Sequence, residues 1–180
     1  MNLVTFNVGK GKDSLGVTVN EKVINLRAFY SYLRQTESRR QGIPGAFFSD
    51  TVSFLEGGEP AINLVVEMVE EASEIMESKG LQYLKRKSIV HDLSEVNLKA
   101  PLKPPKVICM GGSYISHLTK WSKNRGLADS LNEVEEKIRK GEIKRPHMFL
   151  KPPTSIIGPE EYVAIPSRFK KVEGAVELAV

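Results

Sequence analysis

A proline-rich stretch near the middle of the chain limits what this sequence can fold into more than any other feature. It reads NLKAPLKPPK and spans residues 97–106. Proline has no backbone N–H and disfavours helical geometry in the residue before it, so three prolines this close together predict an extended segment. The stretch divides the 180 residues into two blocks. We predict an N-terminal accessory domain over residues 1–98, a linker over 99–105 and a second domain over 106–180.

The first block has the pattern of a small α/β domain. The runs LVTFNV, LGVTV and KVINL favour strands, and Asn20-Glu21 between the last two suits a tight hairpin. A helix is predicted around AFYSYLRQ, and the clearest helix covers residues 60–79, where apolar residues form one stripe between Pro60 and Gly80. The Gly- and Pro-containing stretch GIPGAFFSDTVSFLEGGEP is predicted to be mostly loop, with room for one helical turn.

The second block begins with an apolar run, VICMG, which predicts a buried strand. Two glycines and the helical pattern SYISHLTKWSKN follow it. Strand, glycine turn and helix in this order bring the first side chains of the helix to the end of the strand, a common place for a site. Helical spacing puts four side chains on one face of this helix: Tyr114, His117, Leu118 and Trp121.

The rest of the second block combines one more helix with short strands. In SLNEVEEKIRKG, Ser130 and Glu133 fit a capping box and Gly141 fits the position after the helix. The stretch HMFLKPPTSIIGPEEYVAIPS alternates short apolar runs with proline-bearing turns, a pattern typical of a β core, and KVEGAVELAV has the alternation of a strand.

Composition excludes several classes of function. The net charge is +4, and the basic residues are mixed with acidic ones without a basic stripe, so we expect no nucleic-acid partner. No apolar run approaches the roughly 18 residues of a spanning helix and the N-terminus lacks a signal-peptide pattern, so we expect no membrane association. The single cysteine, Cys109, is predicted to be a buried, reduced thiol in a cytoplasmic protein.

Three motifs in the second block resemble the fumarylacetoacetate hydrolase family. They are LKAPLKPPKVICMGGSYISH, RPHMFLKPPTSIIGPEEYVAIP and VELAV, in the order typical of that family. The first block is similar to the small N-terminal domain that many members carry. The resemblance implies an α+β chain in which a small N-terminal α/β domain precedes the first part of a mainly β catalytic core, a β-roll.

The resemblance also implies a chemistry. Family members hold Mg²⁺ or Mn²⁺ through carboxylates, and a 2-oxo acid or acylpyruvate-type substrate chelates the ion before hydrolysis, decarboxylation, dehydration or isomerisation. A hard divalent cation prefers oxygen ligands and stabilises enolate-like charge as a Lewis acid. We therefore expect a metal-dependent hydrolase or lyase of catabolism, cytoplasmic and homodimeric.

The family's site residues are only partly present. Tyr114 and His117 fall on the family's Tyr and His, which implies a substrate-binding and a catalytic role, and Lys151 in FLKPP matches a substrate-binding lysine. Ser113 replaces an Asn, and Lys120 stands where a Glu would orient the histidine. A lysine cannot accept the imidazole proton. Two alternatives remain open: His117 packs within the helix stripe, and Lys151 is a solvated surface lysine.

The predicted metal ligands lie in the last strand. The resemblance puts Glu177 at the second ligand position and Ala175 at the first, and the third ligand, an Asp, would lie beyond residue 180. Carboxylates two residues apart on a strand are roughly 7 Å apart and can share an ion. Glu173 and Glu177 are roughly 13 Å apart, so Glu173 reaches the same ion only through a bulge at Gly174.

The predicted core therefore needs completion. A sheet with unpaired edges and one bare face is unstable, so we expect a companion chain or segment that supplies the remaining strands and forms an oligomer with this chain. One alternative is a catalytically inactive paralogue that acts as a binding subunit. Another is a ligand-binding domain that keeps a 2-oxo acid pocket and needs no metal.

Overall fold

The protein combines helices and sheets in two compact units. The computed structural model describes residues 1–36, 44–143, 147–172, 174 and 176–179. One unit consists of Met1–Lys103 with Ile157–Val180, and the other of Pro104–Ile156. In the described residues, no helix has the length and apolar character needed to cross a membrane. The domain boundaries at 99–105 stay a prediction.

A five-stranded antiparallel sheet forms the first unit. Its strands lie in the order β4-β3-β2-β1-β5. Their bounds are β1 Asn2–Asn7, β2 Ser14–Val19, β3 Lys22–Asn25, β4 Val90–Asp92 and β5 Asn97–Leu98. The connection between β2 and β3 has positive φ at Asn20 (45°) and Glu21 (59°), the geometry of a type I′ hairpin turn. The predicted hairpin is therefore confirmed.

Four helices cover the sheet. They are α1 Leu26–Thr36, α2 Thr51–Glu56, α3 Gly58–Lys79 and α4 Leu81–Arg86. The helix predicted over residues 60–79 is confirmed as α3, and Gly80 ends it with φ 82°. The loop predicted around α2 is wrong: a 3₁₀ turn covers Gly45–Phe48, and Asp50 caps α2 by accepting a hydrogen bond from Ser53 N at 2.9 Å.

The core of the first unit lies between the sheet and the helices. Its side chains come from β2, β3, α1, α3 and the short helical turns, with Phe29, Phe48 and Met68 fully buried. On the opposite side of β2, a Cβ at Gly16 would lie 2.7 Å from Phe6 and 2.8 Å from Val23. Glycine is required there because the ring of Phe6 occupies the space of a side chain.

A turn from the end of the chain belongs to the first unit. Gly158 is buried, and a Cβ there would lie 2.9 Å from the backbone at Lys99 and Ala100. Glu161 closes the turn by accepting a hydrogen bond from Gly158 N at 2.8 Å, and its carboxylate lies 3.6 Å from the Lys99 ammonium. These contacts hold residues 158–161 against Lys99 and Ala100, near the start of the proline-rich stretch.

The second unit contains one two-stranded antiparallel sheet and two helices. We call this sheet the hairpin, although helices and not a tight turn connect its strands. Strand β6 Val107–Gly111 pairs antiparallel with β7 His147–Lys151. Helices α5 Ile115–Asn124 and α6 Leu131–Arg139 join them, and their small core consists of Leu118, Ala128 and Val134 with partly buried neighbours. Ser130 caps α6 by accepting from Glu133 N at 3.2 Å, which confirms half of the predicted capping box. The carboxylate of Glu133 instead accepts from Asp129 N.

The prediction of short strands after residue 151 is wrong for the described residues. A 3₁₀ turn covers Pro153–Ser155, and residues 156–172, 174 and 176–179 have no regular strand. Within the stretch KVEGAVELAV, predicted as a strand, the described side chains of Val172, Val176 and Leu178 are exposed.

Candidate active site

The turn between β6 and α5 fixes where the first candidate side chain emerges. Gly112 has φ 73°, a left-handed conformation that glycine adopts without strain. The hydroxyl of Ser113 donates to the carbonyl oxygen of Met110 at 3.2 Å and ties the turn to the strand. Tyr114 occupies the N-cap position with extended backbone, and α5 begins at Ile115. The predicted order of strand, turn and helix is therefore confirmed, but the strand predicted to be buried exposes Ile108 and Met110.

The candidate side chains on α5 point away from the small core. Tyr114 is 53% exposed and His117 is exposed, whereas Leu118 is buried and Trp121 packs partly buried against the core. The four residues predicted to share one face are thus divided between a packed and an exposed face. Packing is not what positions His117, and its imidazole is accessible. The catalytic role of His117 and the substrate-binding role of Tyr114 stay predictions.

Lys151 lies at the other end of the hairpin. It pairs with Val107, four residues before Gly111, and at about 3.4 Å per residue the two ends of β6 are about 14 Å apart. Its side chain is exposed, with the ammonium 5.9 Å from the ring centroid of Phe149. The hairpin therefore does not bring Lys151 to the strand end that carries Tyr114. Its substrate-binding role stays a prediction.

The strand register shows a backbone neighbour of Gly111 that the sequence did not. His147 pairs with Gly111, at the end of the hairpin where the turn to α5 begins. In the sequence, the spacing of His147 from other histidines and carboxylates suggested no site. Its backbone lies beside Gly111 only because strands about 36 residues apart in the chain pair with each other. Knowledge of the register was needed to find it.

The residues of α5 and those next to it in the chain are cationic. Residues 113–128 contain no Asp or Glu and three Lys or Arg residues. Lys120, three residues after His117, is exposed, and within the described residues its side chain has no ion-pair partner. No carboxylate from this stretch can therefore orient the imidazole. The exposed groups on α5 suit an anionic ligand better than the activation of water.

The described residues do not assemble a cation site. Glu177 is exposed in a stretch without regular structure, whereas Glu173 and Ala175 lie outside the described residues. In the part of the chain that is described, no group of three His, Cys, Asp or Glu side chains could hold a metal ion. A hard cation such as Mg²⁺ needs several converging oxygen donors, so the residues present do not fit it.

Comparison with known proteins supports the interpretation of the second block. The family described as Fumarylacetoacetate (FAA) hydrolase C-terminal matches residues 106–180. Three curated proteins are similar to about half of the chain. Protein Rv2993c of Mycobacterium tuberculosis is 33% identical over 88 residues, covering 49% of this chain and 27% of that protein. An uncharacterized protein of Methanocaldococcus jannaschii is 37% identical over 86 residues, covering 47% and 28%.

The third relative matches similar shares of this chain and of its own length. An uncharacterized protein of Pyrococcus abyssi is 32% identical over 79 residues, covering 44% of this chain and 28% of its own length. The matched segment thus spans little more than a quarter of each of these curated relatives. Residues 106–180, which carry the motifs around Tyr114, Lys151 and Glu177, are thus similar to the C-terminal domain of the fumarylacetoacetate hydrolase family.

Proposed function

We propose that this chain is part of a metal-dependent hydrolase or lyase that acts on a 2-oxo acid or an acylpyruvate-type substrate. The similarity of residues 106–180 to the fumarylacetoacetate hydrolase family supports hydrolase- or lyase-type chemistry. The observation that carries the proposal is the exposed pair Tyr114 and His117 on α5, at the end of a family-matched strand. A phenol and an imidazole on a helix that its own small core holds in place can orient an anionic substrate and move a proton.

The divalent cation belongs to the proposal as well. Mg²⁺ or Mn²⁺ would supply Lewis-acid stabilisation of enolate charge. Of the candidate ligands, only Glu177 lies in the described part of the chain, so further carboxylates must complete the site. We assign no step of the reaction to the ion on this chain. Calorimetric titration with Mn²⁺ of the wild type and of Ala175→Glu tests the ligand alignment, which predicts tighter binding by the glutamate variant.

A companion segment is the third part of the proposal. One face of the β6–β7 hairpin exposes large apolar side chains: Ile108, Met110, Met148 and Leu150. A two-stranded sheet with an apolar face needs further strands or another layer to be stable. We propose that a segment from outside these 180 residues covers that face and contributes to the site. Subunit composition by native mass spectrometry tests it, and a homogeneous 20.1 kDa species that turns over substrate would contradict it.

Replacement of His117 tests the proposed activity directly. In the complete assembly, His117→Asn should abolish Mg²⁺-dependent turnover of acylpyruvates, and because His117 is exposed the melting temperature should stay nearly unchanged. His91→Asn is a matched control, because that half-buried histidine belongs to the first unit and hydrogen-bonds the carbonyl of Ser88. Unchanged turnover in His117→Asn would rule out the catalytic assignment.

A catalytically inactive binding subunit is the second candidate. One observation favours it: Lys120 follows His117 at three residues, and residues 96–128 contain no carboxylate that could orient the imidazole. Such a subunit would bind 2-oxo acids without converting them. Measurement of binding and turnover on the same preparation separates the two functions, since the enzyme shows both and the binding subunit shows only the first.

A further inference from the structure

Two phenols of the first unit share a hydrogen bond. The hydroxyls of Tyr32 on α1 and Tyr83 on α4 are 3.1 Å apart, and their rings meet edge to face, with centroids 6.2 Å apart and planes 74° apart. Both side chains are half-buried. A shared hydrogen bond makes the two phenols unequal, because the one that donates is held in its neutral form and the one that accepts is stabilised as an anion.

The charges around the pair select Tyr83 as the phenol that ionises. The ammonium of Lys79 on α3 lies 5.2 Å from the ring centroid of Tyr83. The ammonium of Lys87, just after α4, lies 5.2 Å from that centroid and 5.3 Å from the centroid of Tyr32. Two cations therefore face the ring of Tyr83 and one faces that of Tyr32, whereas the carboxylate of Glu71 on α3 opposes ionisation of Tyr32.

The pKa values of the two phenols diverge accordingly. The hydrogen bond from Tyr32 lowers the pKa of Tyr83 below its usual 10.0, and the charges of Lys87 and Lys79 lower it further against the opposing effect of burial. The hydrogen bond to Tyr83 and burial raise the pKa of Tyr32 to about 12. Tyr32 is therefore the neutral donor, and Tyr83 forms a phenolate more readily than an ordinary tyrosine.

We propose that Tyr83 is a covalent modification site of the first unit, a nucleophilic phenol that accepts an acyl group from an activated acyl donor. The Tyr83 oxygen forms an ester bond to the carbonyl carbon of the donor, and the bond between that carbon and the leaving group breaks. The leaving group takes the electron pair of the broken bond, and the phenol proton passes to solvent. None of the candidate active-site residues takes part in this step.

The full chain carries an internal comparison for the test. It contains five tyrosines, of which Tyr162 is 96% exposed. Exposure alone predicts that Tyr162 reacts first with a small acylating reagent, whereas activation predicts Tyr83. N-Acetylimidazole in limiting amount is the probe, and peptide mapping by mass spectrometry measures the rate at each tyrosine. Hydroxylamine removes an acetyl group from a tyrosine ester and leaves it on a lysine amide, which distinguishes Tyr83 from Lys79 and Lys87. Acetylation should be fastest at Tyr83.

Three variants separate activation from access of the reagent. Tyr32→Phe keeps the ring and removes the hydroxyl that donates to Tyr83, so acetylation of Tyr83 should slow about threefold to tenfold, as expected for the loss of a hydrogen bond to a charged oxygen. Lys87→Gln should slow it by about twofold, since the ammonium of Lys87 is exposed to solvent screening. Arg86→Gln is the matched control, because Arg86 is exposed and, among the described residues, is not one of the charges that act on Tyr83. It should leave the rate unchanged.

Alkaline titration of phenolate absorbance gives a second measurement that does not depend on access of a reagent. The phenol that ionises first should be missing in Tyr83→Phe and present in Tyr162→Phe. Four results would overturn the assignment of Tyr83: acetylation of Tyr162 as fast as that of Tyr83, an unchanged rate at Tyr83 in Tyr32→Phe, an equal loss in Arg86→Gln, and an unchanged first ionisation in Tyr83→Phe.

Discussion

The two units of the chain differ in how completely each buries its apolar side chains. Among the described residues of the first unit, seventeen buried residues form one core between a five-stranded sheet and its helices. Among those of the second unit, three buried residues join α5 to α6, and the hairpin β6–β7 leaves side chains such as Leu150 (71% exposed) in solvent. The candidate side chains Tyr114, His117 and Lys151 belong to the second unit, and Glu177 belongs to the first.

This difference separates stability from function within one chain. A core of many buried side chains supplies most of the free energy of folding, whereas a two-stranded sheet with an apolar face contributes little by itself. The first unit can therefore hold its structure through contacts among its own side chains. The side chains proposed to bind substrate depend on a small core and on the segment proposed to cover the hairpin.

The largest expected effect contrasts one buried and one exposed side chain. Phe29 is fully buried in the first core, so Phe29→Ala should lower the free energy of unfolding by about 3–5 kcal/mol. Leu150→Ala should change it by less than about 0.5 kcal/mol in the isolated chain. Urea denaturation followed by circular dichroism measures both. A loss above about 1 kcal/mol for Leu150→Ala would mean that the hairpin face is covered within the chain itself.

A smaller effect is expected where the first unit is packed most tightly. Gly16→Ala would place a Cβ 2.7 Å from Phe6 and 2.8 Å from Val23, both buried, and such overpacking costs about 1–3 kcal/mol. Gly174→Ala is the control, because its Cβ would meet no atom within 4 Å. Thermal unfolding of both variants decides the point, and equal melting temperatures would show that Phe6 can move aside.

The acid dependence of stability should arise partly at the edge of the first sheet. A hydrogen bond from Lys22 and another from Lys85 hold the pKa of Asp92 below its usual range, with Lys22 Nζ 2.6 Å from Asp92 Oδ1. A carboxylate with a lowered folded pKa stabilises the protein above its unfolded pKa of about 3.8 and loses that contribution as pH falls through the lower, folded value. Stability should therefore fall in this acid range.

Two variants test the source of that acid dependence. Lys22→Met removes the larger cause of the lowered Asp92 pKa, so melting temperature should fall less steeply below pH 4 than in the wild type. Lys12→Met is the control, since Lys12 is exposed and its side chain has no ion-pair partner in the described residues. If the melting temperature falls equally steeply below pH 4 in the wild type and in Lys22→Met, Asp92 is not a source of the acid dependence.

The same contrast explains how much of the fold the sequence could predict. Where the signal was local, as in the Asn20-Glu21 turn or the stripe of α3 that ends at Gly80, the elements formed as expected. The helix α2 was missed because glycines and prolines around it outweighed its cap, Asp50. The strand predicted at KVEGAVELAV needs a partner that no local pattern can supply.

For the candidate site, the sequence predicted what a short segment determines. Strand, glycine turn and helix carry Tyr114 and His117 to one end of β6, as their order implied. The distance of Lys151 from that end and the nearness of His147 follow from the pairing of β6 with β7, which depends on contacts between distant segments. Exposure of His117 could not be predicted either, because its helical spacing fitted the packed face equally well.

The smallest expected effect concerns the core of the second unit. Ser122 is fully buried beside Leu118 and Val134, and its hydroxyl has no hydrogen-bond partner in the described part of the chain. A buried hydroxyl without a partner is destabilising, so Ser122→Ala should raise the free energy of unfolding by about 0–1 kcal/mol. Ser116→Ala, at an exposed position of the same helix, is the control and should change little.

Amide hydrogen exchange on α5 is the measurement, since it reports on this unit separately from the larger core. Protection of α5 should increase or stay the same in Ser122→Ala. A clear loss of protection would show that the Ser122 hydroxyl has a partner in the protein, and that the second unit is better closed than its three-residue core suggests.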